Sequence, residues 1–551
     1  MFKRARLISL AVAGAGLVFG RGVFDVCAET TPASTTTAVA TVPAAGSATN
    51  ASPTTHDILL DLLIRKGLVT QEEADKVKAE AEAEKNKEVA QFPAIKWKIN
   101  AGIKDVELYG DVRFRFEDRA VHTPIGERLE LERYRYALRL GIRGDMANDF
   151  YYGLRAETAS NPRSPWVTFG TSSSGVPYQG PFGKGTSGIS LGLIYAGWKP
   201  ADWLELTIGK MPNPLYTTPM VWDSDINPEG AAEKFKKSIG PVDFFATFGQ
   251  FVYEDVNPDR SGSFLVPSIP FGQSTSTPFL FTWQAGFKYN IDKDTSFKMA
   301  ATLYNYTGTG RDIGQNQAVA SPGFSDIYVG EATKGLGVPV YGASGYPTGP
   351  NNGFEFNQTG INDLLVLEFP FEFNFKVGRD WRARIFGDFA ENLMGAQRAQ
   401  DAVIASSAAY ATNNGGNSIS LPLQRYANKS YQIGAAIGNG AVSRFDSLGL
   451  VYGSVIRRDV WEARAYWQHI EQYSLDPNLI DSDFFEGREN MEGLYIALAY
   501  GFTDNVVGTV RYGVASRINN KLGTGGSNQD IPQVNPIKHY QLIQADFTVK
   551  F

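Results

Sequence analysis

At 551 residues, with a formal charge of -6 and a mean hydropathy of -0.22, the chain has room for several soluble domains or one large barrel, and its acidic balance argues against nucleic-acid binding. Beyond the N-terminus no apolar run approaches the roughly 18 to 20 residues a membrane helix needs, so any crossing of a bilayer falls to strands. The single cysteine, Cys27, leaves no disulfide framework, no thiolate metal site and no c-type haem motif.

Residues 1–28 read as a signal peptide: Lys3, Arg4 and Arg6 form a basic start, Leu7 to Phe19 an apolar stretch, and Val26-Cys27-Ala28 a small-residue cleavage site. Lipidation of Cys27 is the alternative, but Phe24-Asp25-Val26 before it lacks the small residues expected there. Residues 29–55, rich in Thr, Ala, Pro and Ser, read as a disordered linker. Over 56–91 the apolar period becomes helical. Ile58, Leu59, Leu62 and Leu63 share a face, Gly67 closes that helix, and Thr70 with Glu73 makes a capping box for a second. This predicts a periplasmic helical hairpin, either a short coiled coil that ties protomers together or touches the cell wall, or a solvated spacer. The thin seam of Ala74, Val77 and Ala81 favours the spacer.

From Val106 the period is two. Val106, Leu108, Val112, Phe114 and Phe116 oppose Glu107, Asp111, Arg113, Arg115 and Glu117, which is a strand with one apolar and one charged face. The same sorting recurs at 279–289 and 365–377, and at the end of the chain Ile543, Ala545, Phe547, Val549 and Phe551 alternate with Gln544, Asp546, Thr548 and Lys550. Tight turns are predicted at 145–149, 199–202, 239–241, 290–294, 378–380 and 503–505. Long Gly, Ser, Asn and Pro-rich excursions lie between them, at 159–188, 211–231, 253–278, 307–360, 391–429 and 517–538. Short connections on one side and long ones on the other are the pattern of a transmembrane antiparallel β-barrel. The expected fold is all-β, with about 16 strands over 104–551; Leu448 to Val455 within 439–458 could be one more, which alone makes the count odd, and 18 is the alternative if a second strand goes with it. Phe547, Val549 and Phe551 are the expected barrel-closing and assembly signal.

Candidate site residues follow from the polar faces. The first three strands place Arg113, Arg115, Arg133, Arg135, Arg139, Arg143 and Arg155 side by side as a basic wall, and the loop 211–231 carries Asp223, Asp225 and Glu229. If that loop folds inward, wall and loop create a transverse field at a constriction. The competing expectation is that the arginines pair with Glu107, Asp111, Glu117 and Glu157 within the wall, while Asp223 and Asp225 cap loop turns or hold a cation. Tyr109, Tyr134, Tyr152, Tyr195, Trp198, Trp203, Tyr289, Trp381 and Trp461 suit interfacial girdles. His56, His122, His469 and His539 are scattered without metal-ligand spacing, and no nucleophile, Walker or dinucleotide motif is present. Asp481-Ser482-Asp483 reads as a loop turn, with cation binding as the alternative. No catalytic residue, metal or cofactor is expected.

The segments 206–214 (LTIGKMPNP), 222–231 (WDSDINPEGA), 461–471 (WEARAYWQHIE) and 481–484 (DSDF) resemble those of a bacterial "putative porin" family whose barrels follow a short helical extension. The resemblance implies a passive outer-membrane channel for small hydrophilic solutes, set in outer-membrane lipid, with a homotrimer and a cell-wall contact through the hairpin as further partner expectations. It names no substrate. A solute-specific porin for anions, phosphate or carbohydrate and a structural envelope-tethering barrel are the alternatives.

Overall fold

The computed structural model describes residues 70, 102–124, 126, 128–159, 164–170, 188–253, 279–307, 340–341, 347–348, 363–400, 402–403, 423–439, 451, 457–524, 531 and 537–551. The expected signal peptide, linker and helical hairpin lie outside these residues, Thr70 apart, as do most of 307–360, 391–429 and 439–458.

The sixteen strands predicted are present. In chain order they are β1 (Glu107–His122), β2 (Arg128–Asp145), β3 (Phe150–Ala159), β4 (Gly188–Ala201), β5 (Leu204–Lys210), β6 (Glu229–Ile239), β7 (Val242–Val252) and β8 (Phe279–Asn290). They continue as β9 (Ser296–Thr307), β10 (Leu365–Glu368 and Phe371–Val377), β11 (Trp381–Asn392), β12 (Lys429–Asn439), β13 (Trp461–Ile470), β14 (Met491–Gly501), β15 (Val506–Arg517) and β16 (His539–Lys550). Each pairs antiparallel with its sequence neighbours, and β1 pairs with β16, so the sheet closes. β10 is interrupted at Phe369-Pro370, since proline has no N–H for the ladder. All six predicted tight turns connect strands on one side, and Gly240 and Gly378 meet the left-handed conformations there with φ of 58° and 63°.

The closing seam extends one residue beyond β16. The Gly110 N–H donates to the Phe551 carbonyl at 2.9 Å and the Phe551 N–H donates back to Gly110 at 3.1 Å. The Phe551 ring lies over Gly110, where a side chain on residue 110 would collide with it. Phe547 and Phe551 face outward, 45% and 53% exposed, while Gln544 on the opposite face is buried. This inverts a soluble sheet: Phe114, Leu138, Ile208, Phe244, Ile433 and Val510 are exposed on the outer wall, a surface that bilayer hydrocarbon covers. Among the described residues no helix is long and apolar enough to cross a membrane.

Most of the expected girdle aromatics, including Tyr134, Trp198, Trp203, Tyr289 and Trp381, are exposed on the outer wall. Tyr109 and Tyr195 are exceptions. Each packs into the space above a cross-strand glycine, Tyr109 against Gly141 beneath the Arg143 guanidinium and Tyr195 against Gly153 beside Tyr151, so both belong to the lumen face.

Candidate functional site

Strand register brings the basic wall together. Arg115 lies opposite Arg135 on β2 and Asp546 on β16, Glu117 lies opposite Arg133, and Asp111 lies opposite Arg139. Unpaired arginines this close would repel strongly, and the wall answers with carboxylates. Glu117 is fully buried. It accepts hydrogen bonds from Arg133 Nε at 2.6 Å, Arg119 Nη2 at 3.1 Å and Gln544 Nε2 at 2.8 Å, and Arg115 and Arg135 stand within 3.9 Å. Asp111 takes Arg113 at 2.8 Å and Arg139 at 3.1 Å, and Glu157 takes Arg155 at 2.9 Å. Asp546 takes Arg115 at 2.7 Å together with Arg511. Arg143 stands apart, half exposed near the short-turn side and paired with Glu107 at 2.7 Å.

The loop 211–228 crosses the lumen. It springs from the paired glycines Gly209 and Gly230, whose φ values are 118° and 152° and where a side chain would strike the carbonyls of Ile194 and Gln250. Along its course the Tyr216 N–H donates to Gln284 Oε1 on β8 at 2.9 Å, Thr217 Oγ1 to Glu368 on β10 and Thr218 Oγ1 to Asp388 on β11, both at 2.5 Å. Its apolar residues Leu215, Met220, Val221 and Trp222 join inward-facing Phe251, Leu280, Tyr304 and Phe386 in one buried cluster. A second loop, 471–490, packs into the same cluster through Leu475, Leu479, Ile480, Phe484 and Phe485. The two loops are stitched together, with the Asp223 N–H donating to Leu479 O at 2.6 Å and the Asp481 N–H to Pro219 O at 3.1 Å.

Both loops present acids to the wall. Asp225 pairs with Arg139 at 3.3 Å and Asp483 with Arg115 at 2.5 Å. Asp223 is turned into the loops, where its carboxylate accepts the Ser482 N–H at 3.2 Å and hydroxyl at 3.1 Å. Burial drives the charges of these loop acids apart. It pushes Asp223 well up, helped by Asp481 and Asp225, and pushes Asp481 up to about 7 with Asp483 close by. Burial would also raise Asp483, but Arg115, Arg511 and Arg119 outweigh it and hold this carboxyl below the usual range. Glu229 does not join them. It opens β6 with its side chain mostly exposed and pairs with Lys210 at 2.8 Å, because the loop ends before it.

A cavity of about 270 Å³ remains beside this cluster, lined by Arg113, Arg139, Asp225, Asp483, Thr509 and Lys550 among others. A larger one of about 920 Å³ opens at the short-turn side, floored by Pro214, Leu215 and Tyr216 of the crossing loop. Sequence reading placed the wall and the first loop but missed Asp483, Asp546 and Arg511 as members of the cluster. Barrel closure carried the signal for Asp546, since it stands on the polar face of the last strand.

Residues 121–321 match a family model described as "Putative porin". No curated protein matches the chain. Among solved structures, two engineered variants of the Rhodopseudomonas blastica porin are similar. One has 9% identity and a TM-score of 0.35, the other 9% and 0.33, each covering 81% of this chain and 100% of its own. The matched segment runs from the end of β1 past β9 and includes β2, β3 and the crossing loop. Over residues 121–321 the chain is therefore similar to the putative porin family.

Proposed function

We propose that the channel passes small hydrophilic solutes and ions passively, without a chemical step, through a lumen narrowed where the two loops meet the wall of β1 to β3 and β16. The observation that carries this reading is the pair of bridges Arg139 to Asp225 and Arg115 to Asp483, which join wall to loops. Because Asp225 and Asp483 each already face an arginine, the transverse field is short in range and the net charge of the narrow point is small. The expected pore therefore has low conductance and modest ion selectivity. Single-channel currents in a planar bilayer under a salt gradient test this. Changing Arg113, Arg133 and Arg135 together to glutamine is expected to turn selectivity toward cations, and unchanged conductance and selectivity would overturn the reading.

The same proposal includes export by the 1–28 signal, a periplasmic N-terminal extension, an assembly signal at Phe547, Val549 and Phe551, and a homotrimer with cell-wall contact through 56–91. Their support is the sequence pattern and the family resemblance. Chemical crosslinking in whole cells separates trimer and cell-wall contacts from a solitary barrel.

A further inference from the structure

The larger cavity differs in chemistry from the narrow point. Four ammonium groups, those of Lys199, Lys234, Lys236 and Lys298, line it from the strand walls, against Glu205 within β5 and Asp145 at the end of β2. Glu205 is already engaged by the Tyr151 hydroxyl at 2.9 Å and by Lys234 at 3.8 Å. The other acids, Asp149 and Asp202, belong to the rim, and Asp149 stands 3.9 Å from Lys104.

Lys298 and Lys236 have no carboxylate oxygen within 4 Å among the described residues. Lys298 rests over the Tyr216 ring at 3.6 Å and near the Phe245 ring at 5.3 Å, which steadies the ammonium without neutralising it. Glu372, directly opposite Lys298 in the ladder, is shared with Arg384 at 3.6 Å. The Tyr216 hydroxyl makes no hydrogen bond among the described residues, while its backbone is locked to Gln284 at 2.8 Å and 2.9 Å. The floor is thus a fixed aromatic and aliphatic surface of Pro214, Leu215, Tyr216 and Phe245, with cations above it. At the narrow point an incoming anion must displace a carboxylate already held by arginine. Here it need displace only water.

We infer that this vestibule is a binding station for small organic anions that carry an apolar or aromatic body, the carboxylate set between Lys298 and Lys236 and the body against Tyr216 and Leu215. A volume of about 920 Å³ lies within the range of small-molecule pockets. The inference rests on the channel reading only for the route by which the anion arrives.

Benzoate is the probe, with benzyl alcohol as its uncharged counterpart and orthophosphate as an anion lacking the apolar body. Full-length protein in detergent is titrated calorimetrically, and single-channel current is recorded with each probe added at the short-turn side. Saturable benzoate binding and block are expected, with benzyl alcohol inert and orthophosphate weaker. Affinity should fall on the order of tenfold in Lys298→Gln and again when Lys236→Gln is added. Lys236 is exposed, so Lys236→Gln alone tests the idea in a barrel whose packing is untouched. Equal benzoate affinity in wild type and variants, equal binding of benzyl alcohol, or orthophosphate binding as tightly would each overturn it. Heat of binding without any current would uphold the station and remove the channel, whereas current without binding would do the reverse.

Discussion

Along β1, β2 and β16 the lumen face is ionic, with Asp111, Arg115, Glu117, Arg135 and Gln544 buried in one network. Along β8 to β14 the same inward positions carry Leu280, Tyr304, Val366, Phe386, Tyr466 and Tyr495, all buried beneath the loops 211–228 and 471–490. Both walls obey one strand period, yet the first is dense in charge, whereas the second adds a large apolar cluster to its buried polar groups such as Glu368, Asp388 and Gln432. The inward face of a barrel is polar where water or charge meets it. Where a loop covers it, that face becomes part of a hydrophobic core. The loops therefore pack mainly on the second wall, where Thr217 and Thr218 also bond Glu368 and Asp388, and they reach the first through Asp225, Asp483 and the Ser482 carbonyl, which accepts from Arg119 at 3.2 Å.

The comparison breaks first if the ionic wall is not held by its carboxylates. Glu117→Gln keeps the shape but leaves Arg115, Arg119, Arg133 and Arg135 without their common counter-charge. Breaking a buried pair on one side costs about 3 to 5 kcal/mol, and several arginines share this partner. A clear drop in the unfolding temperature is expected, with selectivity turned toward anions. A cost below about 1 kcal/mol, as for an exposed pair, would mean that the β-ladder alone holds the wall.

A similar local cost should have a narrower reach on the packed side. Phe484 is almost fully buried, its ring centroid 4.2 Å from Phe485 and 5.3 Å from Tyr495. Phe484→Ala should cost about 3 to 5 kcal/mol, taken from the seating of the loop 471–490 rather than from the hydrogen-bonded barrel. Larger and noisier currents and faster proteolysis within that loop are expected, with the barrel's resistance to heat nearly intact. Unchanged current would show that the loop does not bound the conducting path.

How much of this was legible in the sequence follows from the same contrast. Where one face is apolar and the other charged, as in β1 and β16, the period of two is clean. The strands, their turns and the arginines could all be read there. In β14 the run Leu494, Tyr495, Ile496, Ala497 and Leu498 is apolar on both faces, and nothing local says that the inward half meets a loop. Asp483 shows the same limit. Asp481-Ser482-Asp483 reads locally as a turn, and the Asp483 N–H does donate to Asp481 at 3.0 Å, yet the loop's fold also carries the Asp483 carboxylate to Arg115. Glu229 failed for a smaller reason, because the loop ends before it and β6 begins there.

The finest test of the contrast is titration of the loop acids. Asp481 is pushed up to about 7 by burial and then by Asp483 and Asp225, whereas Asp483 stays ionised beside its arginines. Between its ordinary 3.8 and about 7 the folded state holds a proton at Asp481 that the unfolded chain has released, so stability from this group falls as pH rises through that window. In the open channel the same ionisation adds one negative charge beside the narrow point as pH rises through about 7. Cation permeability relative to anions should then grow on the order of twofold between about pH 6 and about pH 8. Asp481→Asn keeps the side chain's size and removes the titration, so its selectivity should be flat over that range and match the acidic limb of the wild type. A variant that still titrates there would move the proton elsewhere, to Asp223 or Asp225, and with it the assignment of which loop acid sets the charge opposite the wall.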